Sequence, residues 1–231
     1  MSHSKFAFFI IAGLIILFTS SCGLYTIITL EPPEFVGSFD AENYFIFRAA
    51  GDYDPYYFRG FEFYYKIYLE GSIVDSNLLS LSELQSKGFK RIASDSDRIN
   101  NISKPLIPLD SANYTDIFDI KVNFSGIEPS SFEPMAENTG GTAAPPTTPF
   151  SIELRRGIAE NRFGYDVDYY KPFSVFEGGD ADIYSDIWDY ISGNEDVTIA
   201  LYALSYGKRE LIIDVYSIAV YLGQIDIKLP H

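Results

Sequence analysis

Arg59–Glu70, RGFEFYYKIYLE, is the stretch that decides the fold. Phe61, Phe63, Tyr65, Ile67 and Leu69 fall on one side of an extended chain, and Glu62, Tyr64, Lys66, Tyr68 and Glu70 fall on the other. A period of two sustained over this length predicts a β-strand with one face buried and one facing water. Gly71 ends the run, and Ser72–Val74 starts a hairpin return.

Working outward, Val197–Tyr206 (VTIALYALSY) is apolar on both faces and predicts a central buried strand. Further strands are expected at Glu34–Gly37, Asn43–Ala49, Phe89–Ala93, Ile117–Phe124, Phe150–Arg155, Arg162–Tyr170, Lys171–Glu177, Leu211–Leu222 and Gln224–Leu229. Gly207–Glu210 reads as a charged turn. Two short helices are expected. Ser80–Lys87 has Ser80 and Glu83 at capping-box spacing and Gly88 as its stop. Asp180–Ser192 has Asp180 as its cap and an apolar stripe of Ile183, Ile187, Tyr190 and Ile191. Ile127–Pro149 is rich in proline, threonine and glycine and reads as a disordered loop. The 18 Tyr and 19 Phe favour strands over helices. The fold class expected is mainly β, an antiparallel sandwich with one or two short helices.

Composition excludes several activities. The formal charge is 17 − 32 = −15, which repels nucleic acid phosphates. Cys22 is the only cysteine, and the two histidines are His3 and His231. Without an interior imidazole or a second thiol, Ser-His-Asp and Cys-His catalysis, ordinary zinc sites and an internal disulfide are all excluded. No Gly-rich phosphate loop is present.

The amino terminus places the chain. Lys5 precedes the uncharged run Phe6–Phe18 (FAFFIIAGLIILF), and Thr19, Ser20 and Ser21 lead into Cys22. This layout resembles a bacterial lipoprotein signal in a relaxed form, with Thr19 three residues before the cysteine and Phe18 in the hydrophobic role. The resemblance implies that Met1–Ser21 are removed as a signal peptide and that Cys22 carries the lipid. Residues 22–33 then form a lipidated start and spacer, and the charge of the mature chain becomes 16 − 32 = −16. The alternative is an uncleaved helix over Phe6–Leu30. Both readings put the body outside the cytoplasm, with Lys5 inside.

The body resembles a fibronectin type III domain at its two ends. Pro32–Val36 is similar to that family's proline-led first strand, Phe45–Phe47 to its second and Gly60–Tyr65 to its third. Val197–Gly207 is similar to the penultimate strand and Tyr216–Tyr221 to the last, with Asp75–Glu195 as a large insertion. The resemblance implies two packed antiparallel sheets and no particular activity. One composite domain over 34–231 is expected, the alternative being two small β domains split at 127–149.

Candidate sites are few. Tyr53, Tyr56, Tyr57, Tyr64, Tyr68 and Trp188 make a possible aromatic interaction surface for a protein or glycan, unless another layer covers them. Asp180, Asp182, Asp186 and Asp189 offer oxygen ligands for calcium, although an acidic face at a helix start explains them equally and the EF-hand series is absent. Asp52 and Asp54, and Asp95 and Asp97, invite the same two readings. Asn101, Asn113 and Asn123 head glycosylation sequons that a bacterial lipoprotein does not use. The sum is a lipid-anchored, non-enzymatic binding or envelope-structural module. It needs no cofactor, and its partners are the membrane, through Cys22, and an unidentified protein or glycan. The rivals are a hydrolase of glycans using paired carboxylates and a carrier of an apolar ligand.

Overall fold

A computed structural model of the chain describes residues 28–39, 44–48, 53–54, 56–94, 107–108, 119–123, 131–134, 152–157, 170–173, 175–192, 196–209 and 213–227. Cys22 and everything before it, Asp52, Asp95, Asp97, Asn101, Asn113 and most of 127–149 and 162–170 lie outside these residues.

The elements in chain order are β1 (Glu34–Phe39), β2 (Tyr44–Arg48), β3 (Phe58–Leu69), α1 (Leu81–Ser86), β4 (Lys90–Arg91), β5 (Ala93–Ser94), β6 (Ile107–Pro108), β7 (Asp119–Asn123), β8 (Ser131–Pro134), β9 (Ile152–Gly157), β10 (Tyr170–Pro172), α2 (Ser185–Ile191), β11 (Val197–Arg209), β12 (Ile213–Tyr216) and β13 (Val220–Ile227). They form two antiparallel sheets. One runs β1-β2-β7-β8-β9-β10, with β5 also on β9. The other runs β12-β11-β3-β4, with β13 also on β11 and β6 also on β3. The fold is mainly β, a sandwich-like pair of sheets with two short helices among the described residues.

Alternation sets the interior. Phe61, Phe63, Tyr65 and Ile67 of β3 and Val197, Ile199, Leu201 and Ala203 of β11 face Phe45 and Phe47 of β2, Val122 of β7 and Leu154 of β9. Phe47 meets Phe61 and Phe63 edge-on, each with ring centroids 5.2 Å apart. Such edge contacts add roughly 0.5–1.5 kcal/mol each to the area they bury. β1 and β2 pair in one sheet, and β3 and β11 pair in the other. Tyr216–Tyr221, expected as part of one strand, instead divides between the end of β12 and the start of β13, with residues 217–219 outside both.

Several expectations need correction. The outer face of β3 is not wet: Glu62 and Tyr64 are buried on it. The chain after Gly71 folds back over it, and Leu84 of α1, Phe89, Val74, Leu78 and Leu81 pack against Tyr64, Tyr202 and Leu204. β11 does not turn at Gly207 but continues to Arg209, because β12 pairs with its last four residues. Within 127–149, Ser131–Pro134 form β8, which joins β7 to β9. Helix α1 is where the capping box places it. The Ser80 side chain accepts from the Glu83 backbone, the Glu83 carboxylate accepts from the Ser80 backbone, and Gly88 follows at φ +82°.

Where the chain enters the sandwich, Leu30 lies against Gly207 and the Tyr57 carbonyl accepts from the Lys208 amide at 2.9 Å. A Cβ on Gly207 would sit 2.5 Å from that carbonyl oxygen and 3.0 Å from a Leu30 methyl. Gly207→Ala is therefore expected to destabilise the fold by about 1–3 kcal/mol, the usual cost of overpacking, read as a lower denaturant midpoint at unchanged slope.

Candidate functional site

The six aromatic candidates do not form one surface. Tyr53 stacks on Phe58 with ring centroids 3.8 Å apart and an interplanar angle of 6°, so its ring is part of the core edge. Tyr57 and Trp188 also pack against the inter-sheet core, and the Trp188 indole lies over Gly178. Tyr64 is 4% exposed beneath the α1 layer. The Tyr68 hydroxyl donates to an Asp75 carboxylate oxygen at 3.2 Å. Burial, with the Asp75 charge beside it, pushes that phenol well above its ordinary value. Only Tyr56 stands out, 80% exposed at the tip of the turn before β3. The physical reason is the amphipathic character of tyrosine, whose ring is buried while the hydroxyl finds a polar partner.

The aspartates reach a different destination from the one expected. Helix α2 begins at Ser185, with Tyr184 at the cap position, so Asp180 and Asp182 lie in the turns before it and do not share its face. Both are buried, whereas Asp186 and Asp189 are exposed on the helix. Their partner is Arg156. On β9, Leu154 and Arg156 are two apart and point to the same interior, which leaves a guanidinium fully buried. Its Nη1 donates to both Asp182 carboxylate oxygens at 2.8 Å. Its Nη2 donates to Asp180 Oδ2 at 2.7 Å and to the Val175 carbonyl. The Phe176 ring centroid lies 4.3 Å from the Arg156 Cζ. Tyr65 of β3 donates its hydroxyl to Asp182 Oδ2 at 2.7 Å, and Lys171 of β10 reaches Asp180 Oδ1 at 2.6 Å and Glu177 at 2.7 Å.

Electrostatics follow from the geometry. Burial opposes the charge of Asp180, but hydrogen bonds from Lys171 and Arg156 outweigh it and hold the carboxyl below its ordinary value. Burial likewise opposes the charges of Arg156 and Lys171, and the acids around them outweigh it and raise both. All three groups are thus held in their charged forms, which suits a clasp and not proton transfer. Calcium would have to displace the guanidinium from Asp180 and Asp182. Among the described residues, no group of three or more His, Cys, Asp or Glu is placed to hold a metal ion.

A second buried acid, Glu62, sits on the covered face of β3. Arg91 grips it through Nε on one oxygen and Nη2 on the other, the latter at 3.2 Å. Neither arginine was singled out from the sequence. The signal for Arg156 was present in the alternation of Leu154 and Arg156, which commits a cation to the interior and so demands nearby acids.

No helix among the described residues is long and apolar enough to cross a membrane. Comparison of the chain with protein-family models, with curated proteins and with solved structures gives no match.

Arg156→Ala is expected to cost about 3–5 kcal/mol of folding stability, because it leaves two buried carboxylates without their guanidinium. Lys171→Met, at the partly open edge of the cluster, is expected to cost less, and denaturant titration separates the two. Acid sensitivity has a definite sign. The folded Asp180 value is lowered, so its contribution is complete above the ordinary value of 3.8 and is lost as pH falls through the lower folded value. Asp180→Asn should flatten that acid limb of a stability–pH profile measured by thermal unfolding.

Proposed function

We propose that the protein is a lipid-anchored, extracytoplasmic lipoprotein whose fibronectin type III-like body works by binding or by envelope structure, not by catalysis. The anchor reading rests on the order Lys5, Phe6–Phe18, Thr19-Ser20-Ser21, Cys22. One observation carries the non-catalytic reading: each acid buried among the described residues is matched to a base. Glu62 is held by Arg91, Asp182 by Arg156, and Asp180 by Arg156 and Lys171. A glycan hydrolase needs one carboxyl kept protonated by its surroundings, and these surroundings favour the ionised form of Asp180. A carrier needs interior space, whereas Phe47, Phe61 and Phe63 fill the gap between the sheets where they meet. The partner is then a protein or glycan recognised at the surface, together with the membrane through Cys22.

Growth with labelled palmitate tests the anchor. The wild-type chain is expected to carry label and sediment with membranes, and Cys22→Ala is expected to lose the label and to accumulate as uncleaved precursor. Label retained on Cys22→Ala would overturn the lipid reading.

A further inference from the structure

One end of the sandwich collects several features. Leu30 enters there and is buried against Gly207. The Glu31 carbonyl accepts from the Ser205 hydroxyl, which fixes the chain at that point. The turn carrying Tyr56 is beside it, because the Tyr57 carbonyl bonds the Lys208 amide. Tyr56 itself is 80% exposed, and its carbonyl accepts from the Arg59 guanidinium at 2.9 Å. Ile213, paired with Arg209, is 43% exposed at the same end.

The two ends differ in charge. Among the described residues, the strand ends and turn at the Leu30 end carry Arg59, Lys208 and Arg209 against Glu31, Asp54 and Asp214. Asp54 accepts from the Tyr56 amide at 2.8 Å and Asp214 from the Tyr206 hydroxyl at 2.7 Å; both carboxylates keep their charge, so the three cations and three acids of this end balance. At the far end of β3 and β11, the register brings together Glu70, Asp196 and Asp226, around the pairing of Leu69 with Val197 and of Thr198 with Asp226. In a chain of net charge −15, the Leu30 end is the one that anionic headgroups repel least.

We propose that the end formed by the Tyr53–Arg59 turn and the Ser205–Arg209 segment faces the bilayer, with Tyr56 at the headgroup layer and Lys208 toward lipid phosphates. This rests on Cys22 being the lipid anchor. From Cys22 to Leu30 is 30 − 22 = 8 residues, which span at most ~29 Å when extended. The 12 residues of β3 separate its two ends by roughly 36 Å. The tether is therefore shorter than the body, and the end to which it is tied holds Tyr56, the most exposed aromatic among the described residues, and is the less acidic of the two. Tyrosine, with tryptophan, is enriched where membrane meets water, its ring at the headgroup level.

The single native cysteine makes the test clean. Tyr56→Cys and Ile73→Cys are made in the full chain, expressed in a lipidating bacterium and labelled with a thiol-reactive fluorophore. Ile73, 97% exposed in the turn after β3, marks the far end. Each protein is reconstituted into phosphatidylethanolamine–phosphatidylglycerol vesicles containing a lipid with a nitroxide headgroup. The expected result is one label per chain by intact mass and severalfold stronger quenching at position 56 than at 73. One label with equal quenching, or with stronger quenching at 73, overturns the orientation while leaving the anchor intact. Two labels per chain mean that the Cys22 thiol is free, and the anchor reading and the orientation both fail.

Discussion

A guanidinium that cannot lose its proton is enclosed between two sheets, and much of the molecule is arranged to tolerate it. Arginine stays charged at any physiological pH, so burying Arg156 obliges the chain to bring carboxylates to it. The acids come from the turns before α2, a base on β10 balances one of them, and a phenol from the opposite sheet bonds the other. One side chain thereby ties β9, β10, the approach to α2 and β3 into a single contact. The apolar side of α2 can then settle on the core through Ile187 and Ile191, which places Trp188 over Gly178.

The second constraint is β11. A strand apolar on both faces must be covered on both, and the first sheet covers only one. The stretch from Gly71 to Phe89 supplies the other cover, with phenols in place of a wholly apolar lining. The Tyr202 hydroxyl donates to the Asp75 carbonyl at 2.8 Å and accepts from the Leu78 amide at 3.2 Å. Those bonds satisfy backbone groups in a segment that has no sheet partner of its own. Lys66 and Lys87 stand 3.8 and 3.5 Å from the Asp75 carboxylate, so the same aspartate closes the edge of this layer.

How much of this was legible depends on whether a signal is local. β3, β11 and the capped helix α1 were readable because period two, two-sided hydrophobicity and the Ser80–Glu83 spacing are each contained in a few residues. A cover over the outer face of β3 could be weighed from the sequence, but not which segment supplies it. Glu62, Tyr64 and Tyr68 look like a wet face in sequence, whereas Glu62 is gripped by Arg91, Tyr64 packs under α1 and Tyr68 bonds Asp75. Asp180 and Asp182 were misread for the same reason. Their spacing suits a helix start, and what decides their fate is Arg156, 24 and 26 residues away. The candidate surface shrank from six aromatics to Tyr56 because tyrosine satisfies both a core and a boundary, and its sequence position alone does not say which.

The pairing of β3 with β11 joins Leu69 to Val197 and Phe58 to Gly207, which are 128 and 149 residues apart. Closing loops of that length costs chain entropy before any contact repays it, and such topologies fold slowly. A single cysteine allows no internal disulfide to shorten those loops. Cohesion must therefore come from the contacts themselves, and this accounts for the density of aromatic packing between the sheets. It also accounts for why an ionic clasp is worth its desolvation here. A purely apolar replacement would hold the sheets together as strongly, but Arg156 can be satisfied only where two aspartates, a lysine and a tyrosine coincide. In a sandwich rich in interchangeable phenylalanines, that requirement selects one register of β9 against β10 over its slipped neighbours, since a shift by one residue would turn the guanidinium to the opposite face.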